Sequence, residues 1–421
     1  MSSLTSSGAL LKYDEINLEN GLKVVAIPMY NNSKVINVNI FYKVGSRNET
    51  LGKSGIAHML EHMSFKSSKN LAAGEFDNIV KKFGGQSNAS TGFDYTNYFI
   101  RTNNDNLDKS LSLFSEMMQN LLLKNDEFQT ERNVVSEERL WRTDNSPIGY
   151  LYFRLFNMAY VYQPYHWTPI GFMEDIKSWD IEDIKNFYNI YYQPKNAVIV
   201  VAGDIESNDV FKLAKKHFKK IKNKAEIPQT YMVEPKQEDK RFIEIKKEGQ
   251  EVELYALAYK IPNYESKDQI ALSILSYILS GGKSSILVDN LVNKEKLARS
   301  VQAFNMDLKD EGLFIIIASG NKNVKAKNIE TSILKQLEII KDGNISEYDL
   351  AKAKINIKAE FIYSLQNSSQ VSNLYGNYFA KGNIKPLLNY ENNFEKLTKS
   401  DIIEVANKYF INENSNTIFM K

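Results

Sequence analysis

The chain has 421 residues, of which 43% are hydrophobic, and a formal net charge of +2. That length exceeds one ordinary core and supplies two or more globular domains, while the near-neutral charge predicts neither nucleic-acid binding nor strong attraction to membranes. Cysteine is absent, which excludes disulfides and thiolate metal ligands.

Met1 to Leu11 has neither a basic opening nor an apolar run of signal-peptide length, and no later run approaches a membrane span. A cytoplasmic protein with no membrane partner is expected, or a periplasmic one if the Ser-rich start stands where a signal was removed. Tyr13 to Met29 reads as two short strands about the turn Glu19-Asn20-Gly21, and Val35 to Val44 alternates like a third. Gly45 to Gly52 is a loop, and Ser54 is placed to cap the helix that follows. That helix carries His58-Met59-Leu60-Glu61-His62 within the apolar run Gly55 to Phe65. His58 and His62 then stand one turn apart on one face, a spacing at which two imidazoles bind one zinc ion, with Glu61 beside them to hold a water. The alternative is a buried helix with two satisfied histidines. Burial cost weighs against it, because Ile56, Ala57, Leu60, Met63 and Phe65 leave little polar surface for an unpaired carboxylate.

Gly74 to Phe83 is a second helical stretch, ended by Gly84-Gly85. Asn88 to Arg101 carries β-type residues. An exposed sheet edge near Asn88 and Ala89 would hold an extended peptide through main-chain hydrogen bonds, and a plain hairpin strand is the competing reading. Leu107, Leu111, Phe114, Met118 and Leu121 mark a long amphipathic helix. In the next one, Asp126 to Arg142, Val134 and Val135 are expected to face the core with Glu138 on that same face, where a carboxylate wants a cation. Glu131, two turns earlier, is placed to hydrogen-bond a ligand histidine, whereas Glu137 points about a third of a turn away. For Glu131 and Glu138 the competing reading is a solvated, charge-laced face shared with Arg132 and Arg139.

Tyr150 to Trp167 is rich in aromatics and is expected to fill a core; His166 within it reads as a structural loop histidine. His217 sits in a Lys-rich amphipathic helix and is expected to be solvated, like the basic face of Lys215 to Lys224. Asp183 to Tyr192 is helical and Ala197 to Ala202 a buried strand. From Ala225 to Lys240 the pattern breaks at Pro228 and Pro235, so residues 225–240 are expected to link a zinc-bearing domain, 1–224, to a second domain, 241–421. There Arg241 to Lys247 and Val252 to Lys260 alternate like strands, and Asp268 to Leu279 reads as a helix. The ending repeats the first half: Asp183-Ile184 through Tyr191-Tyr192 to Ile199-Val200-Val201 matches Asp401-Ile402 through Tyr409-Phe410 to Thr417-Ile418-Phe419, at an offset of 218 residues. Two similar α+β domains from a duplicated unit follow, each a mainly antiparallel sheet packed with helices. The offset sets Ser276, Leu279 and Ser280 opposite His58, Glu61 and His62, so no zinc site is expected in the second half.

The H-x-x-E-H order is the inverted zincin motif. With Gly84-Gly85-Gln-Ser-Asn88-Ala89-Ser-Thr91, Glu131-Arg132-Asn-Val-Val-Ser-Glu-Glu138, Pro164-Tyr165-His166-Trp167-Thr-Pro-Ile-Gly171, Tyr192-Gln-Pro194-Lys-Asn196 and Gly203-Asp204, the chain resembles the pitrilysin/insulinase family of zinc peptidases. The likeness is to its two-domain bacterial and mitochondrial-processing-peptidase-like branch. The resemblance implies that His58, His62 and Glu138 bind Zn2+, that Glu61 is the general base, that Glu131 supports the site and that the strand near Asn88 and Ala89 holds the substrate. It also implies an arginine and a tyrosine in the second half that steady the substrate and the developing oxyanion. At those positions this chain has Ile286, in Ser284-Ser285-Ile286-Leu287, and Arg299, in Leu297-Ala298-Arg299-Ser300-Val301. Some relatives divide the labour between two chains. The expectation is therefore a zinc endopeptidase or oligopeptidase acting on peptides as the motif-bearing member of a heterodimer whose partner supplies the Arg/Tyr pair. The opposing reading is that Arg299 or a nearby tyrosine such as Tyr277 substitutes and the chain acts alone or as a homodimer, and a non-catalytic assembly subunit is the alternative function.

Overall fold

A computed structural model describes residues 10–230 and 232–421. Most of the amino-terminal stretch, including the Ser-rich start, lies outside the described residues. Within them no helix is long and apolar enough to cross a membrane. The expected α+β fold is present, in two compact units.

The first unit comprises residues 10–139, 167–230 and 362–388. Its strands are β1 (Asp14–Asn17), β2 (Lys23–Pro28), β3 (Val35–Tyr42), β4 (Gln86–Thr91), β5 (Thr96–Asn103) and β6 (Ala197–Gly203), in the order β1-β2-β6-β3-β5-β4. Only the β2–β6 pair is parallel. The second unit comprises Leu140–His166, Met232–Phe361 and Asn389–Lys421. Its strands are β7 (Arg241–Ile245), β8 (Leu254–Ile261), β9 (Ala298–Met306), β10 (Gly312–Gly320) and β11 (Ser415–Met420), in the order β7-β11-β8-β10-β9, and again only the pair β7–β11 is parallel. That order reproduces β2-β6-β3-β5-β4, as a duplicated unit requires.

Neither unit is one unbroken segment of chain. The helix Pro147–Ala159 belongs to the second unit and its repeat counterpart, Ser368–Lys381, to the first. Of the aromatics between Tyr150 and Trp167, Phe153, Phe156, Tyr160, Tyr165 and Trp167 are buried, as a core-filling stretch requires, and Tyr162 is 60% exposed. The helix there begins at Pro147 behind Ser146, whose hydroxyl accepts the Gly149 N–H (3.2 Å), a start signal the sequence did contain. Among the described residues of the stretch 225–240 there is no helix or strand, but the stretch is anchored: the buried Glu234 carboxylate accepts the N–H groups of Val161, Tyr162 and Gln163 and pairs with Lys260 at 3.0 Å.

In the first unit, the apolar faces of the helices Ile56–Met63, Leu107–Asn120 and Ile181–Tyr191 meet the sheet in one core with Val24, Ile36, Val38, Ile40, Ile199 and Val201. Met59, Leu60 and Met63 are fully buried there, which fixes the opposite face of their helix as the one bearing His58, Glu61 and His62.

Candidate metal centre

The helix Ile56–Met63 begins without its expected cap. Gly55 occupies the N-cap at φ 84°, a left-handed conformation suited to glycine, and no side chain of the cap residue bonds back. Ser54 instead donates its hydroxyl to Asp175 (2.5 Å) and accepts the Phe172 N–H (2.9 Å). The first-turn donors go to Glu49, which is 1% exposed. One of its oxygens accepts Gly55 N–H (2.8 Å) and Trp167 Nε1–H (2.7 Å), the other Ala57 N–H (2.9 Å). A carboxyl group at a helix N-terminus supplies acceptors for amides that have no partner within the helix.

Across from this helix runs Asn125–Arg139. Phe128, Glu131, Val135 and Arg139 are buried on it, while Val134 is 47% exposed. The expectation that Val134 faces the core is thus corrected: Val135 and Glu138 share a side at a separation of three, and Val134 lies 100° round from Val135. Arg139 anchors the helix end through the carbonyl of Gly171, and Arg132 anchors its middle through that of Trp179 (3.0 Å). Glu137 is exposed, as its angle predicted.

These two helices bring His58, His62 and Glu138 together. The Nε2 atoms of the histidines are 3.2 Å apart, and Glu138 Oε2 is 3.3 Å from that of His62 and 3.6 Å from that of His58. Bonds of about 2.0–2.2 Å around a tetrahedral zinc put ligand atoms roughly 3.3–3.6 Å apart, so this triangle fits the ion the donor set suggests. Glu131 Oε1 is 2.8 Å from His62 Nδ1, which orients the ring with Nε2 toward Glu138, and Glu131 Oε2 pairs with Lys66 at 2.5 Å. Burial lowers the basicity of His62, but its hydrogen bonds to Glu131 and Glu138 and the charges of Glu138 and Glu61 outweigh it, raising its pKa to about 9. Burial also pushes the Glu131 carboxyl up, and His62 and Lys66 more than offset that, leaving it below the usual range. Three carboxylates around two imidazoles make a pocket for positive charge. Among the described residues no other cluster of three such ligands forms.

Glu61 lies on the same helix with Oε2 accepting the Thr91 hydroxyl at 2.5 Å. Thr91 ends β4, which pairs only with β5 and is one edge of the sheet. On β4 Gln86, Asn88 and Ser90 are exposed, and Ser87, Ala89 and Thr91 are half-buried. The Asn88 side-chain oxygen accepts the Ala89 N–H (2.9 Å). Lys66, Thr91 and Glu49 each touch this region, and sequence reasoning gave none of them a role. Thr91 lay inside a quoted motif, and Lys66 follows His62 by four residues; Glu49 carries no local signal.

The remaining histidines stand outside the cluster. His166 bonds through Nδ1 to the Tyr160 carbonyl (2.6 Å), a loop role as expected. His217 corrects its expectation: its side chain is only 15% exposed and pairs with Asp108 at 2.7 Å. In the second unit, Ser276 bonds to the Ser273 carbonyl and Ser280 to the Ala303 carbonyl on the helix Asp268–Ser280. Ile286 packs on that unit's core, and Arg299, exposed at the start of edge strand β9, donates Nε–H to Ser319 (2.8 Å).

With fold and site in view, the chain belongs to the M16 (insulinase) family of peptidases. Residues 24–148 match the insulinase, peptidase family M16, domain and residues 178–357 the peptidase M16 inactive domain. The chain is 54% identical over 422 residues to zinc protease PqqE of Helicobacter pylori, covering all of this chain and 95% of that one. The crystal structure of a protease from Helicobacter pylori, also 54% identical, superposes with a TM-score of 0.96 over 98% of this chain and 100% of the other. The mitochondrial-processing peptidase subunit beta of Saccharomyces cerevisiae is 26% identical over 409 residues, 93% of this chain and 87% of that protein.

Proposed function

We propose that the chain is a zinc-dependent endopeptidase or oligopeptidase, with His58, His62 and Glu138 as ligands and Glu61 as general base. The observation that carries this reading is the triangle of two Nε2 atoms and one carboxylate oxygen with Glu61 on the next position of the same helix face. When bound, zinc supplies a Lewis acid for the scissile carbonyl and lowers the pKa of water toward about 7. Glu131 holds His62 in the tautomer that leaves Nε2 for the metal. The free edge of β4 aligns an extended peptide by strand addition at Asn88 and Ala89. Glu61 takes the proton of the attacking water and delivers it to the leaving amine nitrogen.

The chain is proposed to act as the motif-bearing subunit of a heterodimer, because Ile286 and Arg299 stand where an arginine and a tyrosine would steady the substrate carbonyl. The name of the yeast relative, a processing-peptidase subunit, supports that reading. Zinc content and cleavage of a mixed peptide library test both parts, on the purified chain alone and mixed with related chains from the same source. About one zinc per chain is expected, with cleavage only in a mixture; cleavage by the chain alone would remove the partner from the proposal. Glu61→Gln is expected to keep the zinc and lose at least about a hundredfold in rate. A Glu61→Gln protein that cleaves like the wild type would overturn the mechanism.

A further inference from the structure

The general base is held by a residue from outside its own helix. Thr91 Oγ1 lies 2.5 Å from Glu61 Oε2, and an ionised carboxylate only accepts, so the hydroxyl donates. Thr91 is itself rigid. It is the last residue of β4, paired with Thr96, and the turn beyond it closes through Gly92 N–H to the Tyr95 carbonyl (2.9 Å). That turn is clamped from the side, where Ser46 N–H reaches the Gly92 carbonyl (3.2 Å) and Arg47 N–H the Phe93 carbonyl (2.9 Å). On the same strand Ala89 precedes Thr91 by two residues, about 6.6 Å, and its side chain points to the same face.

One strand therefore carries both the edge that would receive a peptide and the donor that turns the base. We infer that Thr91 is a positioning residue that registers the Glu61 carboxylate against a substrate strand bound at β4, an inference that rests on the peptidase reading above. A strand bound at Ala89 and a base fixed from Thr91 share one rigid frame, so peptide register and base orientation are set together. The contact's worth is in orientation: a misplacement of about 1 Å at a reacting group costs on the order of a hundredfold in rate.

Thr91→Val keeps the β-branched shape and removes the donor; Thr91→Ser keeps the donor. Both are compared with the wild type in whichever preparation cleaves, the chain alone or its mixture with a partner. Thr91→Val is expected to lower kcat by about ten- to a hundredfold with KM within about twofold, and Thr91→Ser to recover most of that loss. Zinc content and the affinity of an uncleavable extended peptide, measured by fluorescence anisotropy, are expected to stay unchanged in both. A Thr91→Val protein with wild-type kcat would overturn the inference while leaving the peptidase reading intact. Loss of zinc or of peptide binding in Thr91→Val would overturn it too, by showing a general structural role. A wild type that cleaves in no preparation would fail the peptidase reading, and this inference with it.

Discussion

Glu131 and Glu138 stand seven residues apart on one helix and face the same imidazole, but they meet different nitrogens. Glu138 looks at Nε2 of both histidines, whereas Glu131 reaches only Nδ1 of His62. Removing the first takes away the anionic ligand; removing the second leaves all three ligands and frees one ring. Glu131→Gln is accordingly expected to weaken zinc binding about ten- to a hundredfold, and Glu138→Gln by more, in competition with a chelator of known affinity. The reverse order would exchange the two roles. This much was legible in the sequence, because a spacing of four on one helix and seven on another fixes faces without any tertiary knowledge. Thr91 and Lys66 show the limit: what a hydroxyl on a strand or a lysine beyond a helix end touches depends on how β4 and the helix Asn125–Arg139 pass the metal helix.

At the scale of the element, the metal-bearing helix depends on Glu49 in place of a cap. Ser54 was the natural candidate by position, but its hydroxyl serves Asp175, and the start amides turn to a buried carboxyl six residues before Gly55. No local pattern announces a cap delivered from that distance. Burial pushes the Glu49 carboxyl up to about 8, against the pull of its donors Ala57 N–H, Gly55 N–H and Trp167 Nε1–H. Its folded pKa thus lies above that of the unfolded chain, and the folded state holds the extra proton between about pH 4.5 and 8. Glu49's share of stability is fully present below pH 4.5 and is lost as the pH rises through 8. Glu49→Gln cannot ionise and is expected to lower stability at acidic pH but to show a shallower decline toward pH 9. Urea midpoints of both proteins from pH 5 to 9 check this; a constant difference between them would mean that Glu49 titrates normally.

At the scale of the whole chain, the repeat at an offset of 218 residues was visible, and the shared strand orders bear out the duplicated α+β plan. What the sequence did not disclose is which sheet each amphipathic helix covers, because the periodicity that marks an apolar face does not name its partner, and sequence neighbours are the default. The helix Ser368–Lys381 lies on the first unit's sheet over β3 and β6, through apolar packing and a set of side-chain hydrogen bonds. Asn37 donates to Ser372 (2.7 Å), Asn39 to Asn373 (2.9 Å), and Asn377 to the Tyr95 hydroxyl (2.9 Å). Gly376 sits where a Cβ would overlap the Phe41 ring. Asn37 and Asn39 are wholly buried by this arrangement, and Phe41 nearly so. A fragment of residues 1–230 keeps every strand of the first sheet but lacks that helix, leaving an apolar strip around Phe41 without cover. It is expected to be poorly soluble and to unfold without a cooperative urea transition, and addition of residues 362–388 in trans to restore one. A soluble, cooperatively folding 1–230 would show that the helix is an accessory to this unit. A fragment rescued by the added segment would make the exchange of helices a condition of folding, and with it the integrity of the sheet that carries Ala89 and Thr91.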